Sequence, residues 1–206
     1  MVSLFPKMCL GCHQEERKQE LICQRCMSHF NLGLRYECAC CSRDRSSCSF
    51  CQKPSSVKRV LACFESTHQT QSLLKRAKFL SAHGLAQAIA NALWIRLIST
   101  GLCHFDAVMP FSKIKGPFSW SQYAMKSPLN QTLASWIAQK LKQSYRSPLG
   151  WKVEHWLWPR RASYHLLIVA STMSEEEITS WARSLEKVQP NVELTFLIGC
   201  WKDDGV

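Results

Sequence analysis

The sequence predicts an α/β fold with a mainly parallel sheet, preceded by a small segment that cannot fold on apolar burial alone. Three observations carry this. From residue 57 to the carboxyl end, short apolar runs alternate with segments of helical periodicity, the pattern of strands and helices taken in turn. The first 56 residues lack that alternation and instead hold four pairs of cysteines, each pair with two residues between. The 46% hydrophobic content over 206 residues fits one medium domain with an appendage rather than a disordered tail. We therefore divide the chain into 1–56 and 57–206.

The amino-terminal pairs are Cys9 and Cys12, Cys23 and Cys26, Cys38 and Cys41, Cys48 and Cys51. A tight turn at each pair aims two sulfurs at one ion, and eight thiolates make two tetrahedral zinc sites. A lone pair of this kind suits a redox motif, but four in succession have no redox or packing account. Taken along the chain, the first four cysteines hold one ion and the last four the other, giving a double zinc ribbon; a crossed arrangement satisfies the spacing equally. Cys40 and His13 stand near enough in sequence to substitute as ligands, and bystander roles suit them better. Every position is filled by sulfur, so these sites supply folding energy rather than catalysis. Cys63, Cys103 and Cys200 lie in apolar surroundings and read as buried thiols.

The polar stretch 52–59 is the boundary, and VLACF after it reads as a strand. Leu73, Leu74, Ala77 and Leu80, then Leu85, Ile89, Ala90, Leu93, Ile95 and Leu97, recur at helical spacing, with Gly84 as the break between two helices, each apolar on one face and basic on the other. FDAVMP, 105–110, reads as a buried strand, and the segment to Ser127 as a loop. Pro128 opens a helix running to about Tyr145, with Ser127 as its cap. HLLIVA, 165–170, is the next strand. Ser174 and Glu177 form a capping box for the helix after it, and VELTFLIGCW, 192–201, is the last strand. Ligands of such folds sit at the carboxyl ends of strands, here after Met109, Ala170 and Ile198.

The net charge of +11 is unevenly spread: +5 over residues 1–63, +10 over 64–164 and −4 over 165–206. A concentrated cationic field suits a polyanion such as nucleic acid, although a solvated basic face would read the same. Lys113, Lys115, Trp120 and Lys126 in one loop, and Trp156, Trp158, Arg160 and Arg161 in WLWPRR, mix cations with rings. Single strands are held by that mixture, bases stacking on rings and phosphates meeting cations. Tryptophans at element ends are also ordinary core and rim residues. No run approaches the roughly 20 apolar residues of a membrane span, and the first residues lack the parts of a secretory signal, so a cytoplasmic protein without membrane insertion is expected.

The paired cysteines, LLKRAKFLSAHGLAQAIANAL, the stretch FDAVMPFSKIKGPFSWSQYAMKSPLNQTLASWIAQKL with Asn130 and Gln131 opening its helix, and HLLIVASTMSEEEITSWARSL together resemble the ComF family of competence proteins. That resemblance spans nearly the whole chain, and its carboxyl part matches in layout only. It implies a zinc ribbon joined to a phosphoribosyltransferase-like domain, and a role with single-stranded DNA in natural transformation alongside a DNA-uptake or helicase protein. In the family the late strand leads to two adjacent acidic residues and a Thr/Gly-rich turn that hold phosphoribosyl pyrophosphate. Here Ala170 and Ser171 stand at the acidic pair, and the turn reads TMSEEE. Three carboxylates at a helix start answer the dipole themselves and repel a phosphate. The segment between Leu141 and His165 is short for a mobile active-site loop. His68, His83, His104, His155 and His165 are scattered, and Asp106 has no acidic neighbour, so no other catalytic set appears.

The expectation is thus a noncatalytic family member that handles single-stranded DNA. A transferase with an altered phosphate site, requiring magnesium and phosphoribosyl pyrophosphate, is the enzymatic alternative. A zinc-ribbon adaptor for a DNA-processing protein is the third.

Overall fold

A computed structural model of the chain describes residues 8–9, 14, 23–24, 56–79, 83–111, 128–143, 145, 164–187 and 190–202. Among these, the elements in chain order are β1 (Val57–Ala62), α1 (His68–Phe79), α2 (His83–Ser99), β2 (Ala107–Pro110), α3 (Pro128–Leu141), β3 (Tyr164–Met173), α4 (Glu175–Glu186) and β4 (Val192–Trp201).

The four strands form one parallel sheet in the order β1-β4-β3-β2. Tyr145 makes an isolated parallel bridge to Val108. Val108 already pairs with Leu167 of β3, so Tyr145 lies on the outer side of β2. The chain therefore moves outward from β2 through α3, and in the opposite direction from β3 through α4 to β4. Crossovers between parallel strands are right-handed, so opposite directions demand opposite faces. Burial agrees: α1, α2 and α3 place Leu74, Leu93 and Ile137 against Leu61, Val108, Leu167 and Leu197 on one face. On the other, Ile178, Trp181, Ala182 and Leu185 of α4 cover Leu166, Ile168, Leu194 and Phe196. The sheet is doubly wound, and its direction reverses between β2 and β3.

Local chemistry sets the ends. Thr67 caps α1, its hydroxyl accepting the Thr70 N–H at 3.1 Å. Gly101, at φ +71°, follows α2 where a left-handed residue lets the helix stop. α3 closes on Lys142, also left-handed at φ 54°, with Gln143 N–H bonding Ala138 O at 2.9 Å and Lys142 N–H bonding Gln139 O at 3.2 Å. That Schellman closure stops the helix at Leu141, short of the Tyr145 the sequence suggests.

Other expectations change in detail. The strand read as 105–110 spans only Ala107–Pro110, with Phe105 packed against the His165 ring at 4.7 Å. β3 runs past Ala170 to Met173 because Met173 still pairs with Trp201 and its carbonyl accepts from Lys202 N–H at 2.8 Å. Gly84 falls inside the first turn of α2 rather than between the helices. Cys63 and Cys200 are buried as expected, whereas Cys103 is exposed in the turn after α2. The outer side of α2 is not basic: it exposes Gln87, Ala88, Asn91, Ile95, Ile98 and Ser99, and the helix's one cation, Arg96, bonds Ala62 O through Nε at 3.0 Å.

Candidate functional site

Two of the eight expected zinc ligands lie among the described residues, and they meet. Cys9 is fully buried, and its Sγ accepts the backbone N–H of Cys23 at 3.3 Å. These are the first members of the first and second pairs, 14 residues apart. The Cys9 N–H bonds Gln14 O at 2.9 Å. Cys12, Cys26, Cys38, Cys41, Cys48 and Cys51 lie outside the described residues. Among the described residues no group of three or more metal-binding side chains is assembled. Cys9 also belongs to the apolar cluster beneath α1, α2 and α3, with Cys23 packed on its edge.

The second locus is the carboxyl end of the sheet between β2 and β3, the reversal point at which open α/β folds bind ligands. Here Asn130, in the first turn of α3, is buried. Its Nδ2 donates to Phe111 O at 3.1 Å, and its Oδ1 accepts from Ser171 N–H at 2.9 Å. One side chain thus spans the gap between the two strand ends. Ala170 and Ser171, both fully buried, occupy the positions where the resemblance calls for an acidic pair. Ala170 packs in the cluster under α4, and Ser171 Oγ has no hydrogen-bond partner among the described residues. On β4, a side chain at Gly199 would collide with the Ser171 carbonyl oxygen, so the two strands close tightly at this level.

The start of α4 is similarly self-satisfied. Ser174 Oγ accepts from Glu177 N–H at 3.2 Å while Glu177 Oε2 accepts from Ser174 N–H at 3.1 Å. This is the capping box expected from the sequence, and Glu175 and Glu176 add two carboxylates to the same turn. At this helix start the Ser174 N–H thus serves the Glu177 carboxylate and the Glu177 N–H the Ser174 hydroxyl.

At the opposite end of the sheet a charged row crosses the strands. Lys58 pairs with Glu193 at 3.2 Å, and His165, beside Glu193 in the sheet, bonds Thr195 Oγ1 through Nε2 at 3.0 Å. Asp106 Oδ2 accepts the His165 N–H at 2.7 Å. Burial holds the His165 ring below its ordinary pKa against the opposing pull of Glu193 and Asp106, with Lys58 adding to the lowering. Sequence reading treated His165 and Asp106 as isolated; the parallel register that joins them spans 59 residues.

Lys113, Lys115, Trp120, Lys126, Trp156, Trp158, Arg160 and Arg161 all lie outside the described residues. What is described is where their first loop is rooted: Phe111 and Pro128, its two flanks, stand at the β2 end and the α3 start. Both therefore belong to the Asn130 locus.

A scan of the chain against protein-family models finds no match, and neither does a search of curated proteins or of solved structures. No helix among the described residues is long and apolar enough to cross a membrane.

Proposed function

We propose that this chain is a zinc-bearing, noncatalytic relative of the ComF proteins that holds single-stranded DNA on the cationic loops of its α/β domain. The observation that carries the reading is the closed reversal point. In a doubly wound sheet this is where a small ligand enters, and here Asn130 bridges the gap with Ala170 and Ser171 sealed beneath it. Among the described residues Asn130 takes up the Phe111 carbonyl and the Ser171 N–H, and Glu177 takes up the Ser174 N–H, which favours the stretch between Phe111 and Pro128 as the contact surface. Three lysines and a tryptophan in that loop suit a phosphate backbone and a stacked base. The contact between Cys9 and Cys23 supports zinc held by the first two pairs, in successive rather than crossed order, as a structural element.

The test is fluorescence anisotropy of a labelled single-stranded oligonucleotide with the zinc-loaded protein at two salt concentrations. Binding that weakens steeply with salt is expected, since each neutralised phosphate releases counterions. Absence of binding at low salt would leave the adaptor role for the zinc ribbon. A thermal shift with phosphoribosyl pyrophosphate and magnesium would restore the transferase.

A further inference from the structure

Helix α2 is not built like a helix with one side in water. Leu85, Ile89, Leu93 and Leu97 fill its core side, yet Ile95 and Ile98 stand 52% and 43% exposed on the other. By contrast, α4 buries Ile178, Trp181, Ala182 and Leu185 and turns Glu176, Ser180 and Arg183 outward. A helix with apolar residues on both sides is one that is covered on both sides. The outer residues of α2 also have an order. Ala88, Asn91, Ile95 and Ile98, all exposed, follow at steps of three, four and three. That is the spacing of a seam that packs on another helix, where a lone Asn among smaller and apolar residues fixes the register.

Charge indicates whose helix that is. The chain carries a net charge of +11, so two copies meeting through basic faces oppose like charges. Each of the other described helices exposes charge: Lys75 on α1, Lys140 on α3, Glu176 and Arg183 on α4. The exposed residues described on α2, Gln87, Ala88, Asn91, Ile95, Ile98 and Ser99, have none, and Arg96 reaches back to the Ala62 carbonyl. A twofold contact sets a patch against itself, and on this face it does so without setting cation against cation. We propose that α2 is the contact between two copies of this chain, with Ile95 of one protomer meeting the partner's Ile95 across a twofold axis. The inference is independent of the DNA-handling reading.

The test is sedimentation velocity of the full, zinc-loaded chain over a range of concentrations at low and high salt. A dimer is expected that holds or tightens as salt rises, because screening relieves the repulsion between two basic molecules while a charge-free seam has no ion pairs to lose. Ile95→Lys and Ile95→Glu should each raise the dimer dissociation constant roughly a hundredfold or more while leaving the cooperative melt unchanged, since like charges are then juxtaposed. An equimolar mixture of the two variants should restore the dimer. Asn91→Arg, on the same exposed stripe, should give the same loss and serves if either Ile95 variant melts without cooperativity. A monomeric parent overturns the proposal, and if Ile95→Lys then also lowers its melting temperature, another segment of the same chain covers α2. A dimer that survives Ile95→Lys and Asn91→Arg, or one that salt dissolves, lies on a different face. Variants that stay monomeric when mixed would show that Ile95 does not meet its own copy, which overturns the proposal as well.

Discussion

At the level of single residues, several positions carry measurable consequences. Lys142 sits at φ 54° in the Schellman closure of α3, a conformation that costs an L-residue about 1 kcal/mol and glycine little. Lys142→Gly should therefore raise stability by up to about 1 kcal/mol, read from chemical denaturation, even though glycine loosens the unfolded chain. Ser174→Ala removes the side-chain half of the α4 capping box and should cost about 1 kcal/mol in the same assay. His165 predicts a pH effect. Burial lowers its folded pKa below the ordinary value, so the folded state binds its proton less readily than the unfolded chain does. The contribution to stability is present above the ordinary histidine range and is lost as pH falls through that range to the lowered folded value. His165→Gln, which retains a polar partner for Thr195, should flatten the decline in denaturation midpoint between neutral and mildly acidic pH. An unchanged slope would assign the decline to other groups. The residues themselves were differently legible. Ser174 and Glu177 announce their cap because the motif is local, whereas His165, Thr195 and Asp106 meet only through the sheet register. Asn130 stood out in the sequence, but its reach to Phe111 and Ser171 depends on where two strands end.

The elements follow the same division between local and distant causes. Periodicity placed the four helices and four strands seen among the described residues near their observed positions, because an apolar stripe at helical spacing and an apolar run bounded by turns have few alternative uses. The ends were less legible. Whether β3 stops at Ala170 or continues to Met173 depends on Met173 finding Trp201 across the sheet, and α2 kept its outer Ile95 and Ile98 in water where a basic face was expected. The bridge from Tyr145 to Val108, which explains why α3 and α4 lie on opposite faces, rests on one residue with no strand signature around it. Trp181 is the element-scale test. It lies nearly fully buried between Phe111 and Phe196, ring centroids 6.0 and 6.3 Å away, on the one described helix of its face. Trp181→Ala should cost about 3–5 kcal/mol, since the transfer loss and the cavity add. A much smaller cost would mean that α4 contributes little to closing the sheet.

For the whole molecule, the question is how the cysteine-rich segment and the sheet depend on each other. Cys9 is buried in the cluster that includes Leu74, Leu93, Leu133 and Leu167, with Cys23 packed against it, so these two cysteines are set against the helical layer. On the zinc reading, the metal then anchors part of the α/β core, and its binding free energy becomes stability for residues well beyond the ribbon. Cys23→Ser should release zinc and also lower the melting temperature of the sheet, followed by far-ultraviolet circular dichroism, with chelation of the parent protein doing the same. Cys48→Ser should release the second ion; its effect on the sheet measures whether the later pairs are coupled to the core as Cys9 is. A protein that loses its zinc on chelation yet melts with an unchanged sheet transition would show that the burial of Cys9 carries no energy between the two parts. A Cys23→Ser protein that keeps its full zinc content would remove Cys23 from the ligand set altogether.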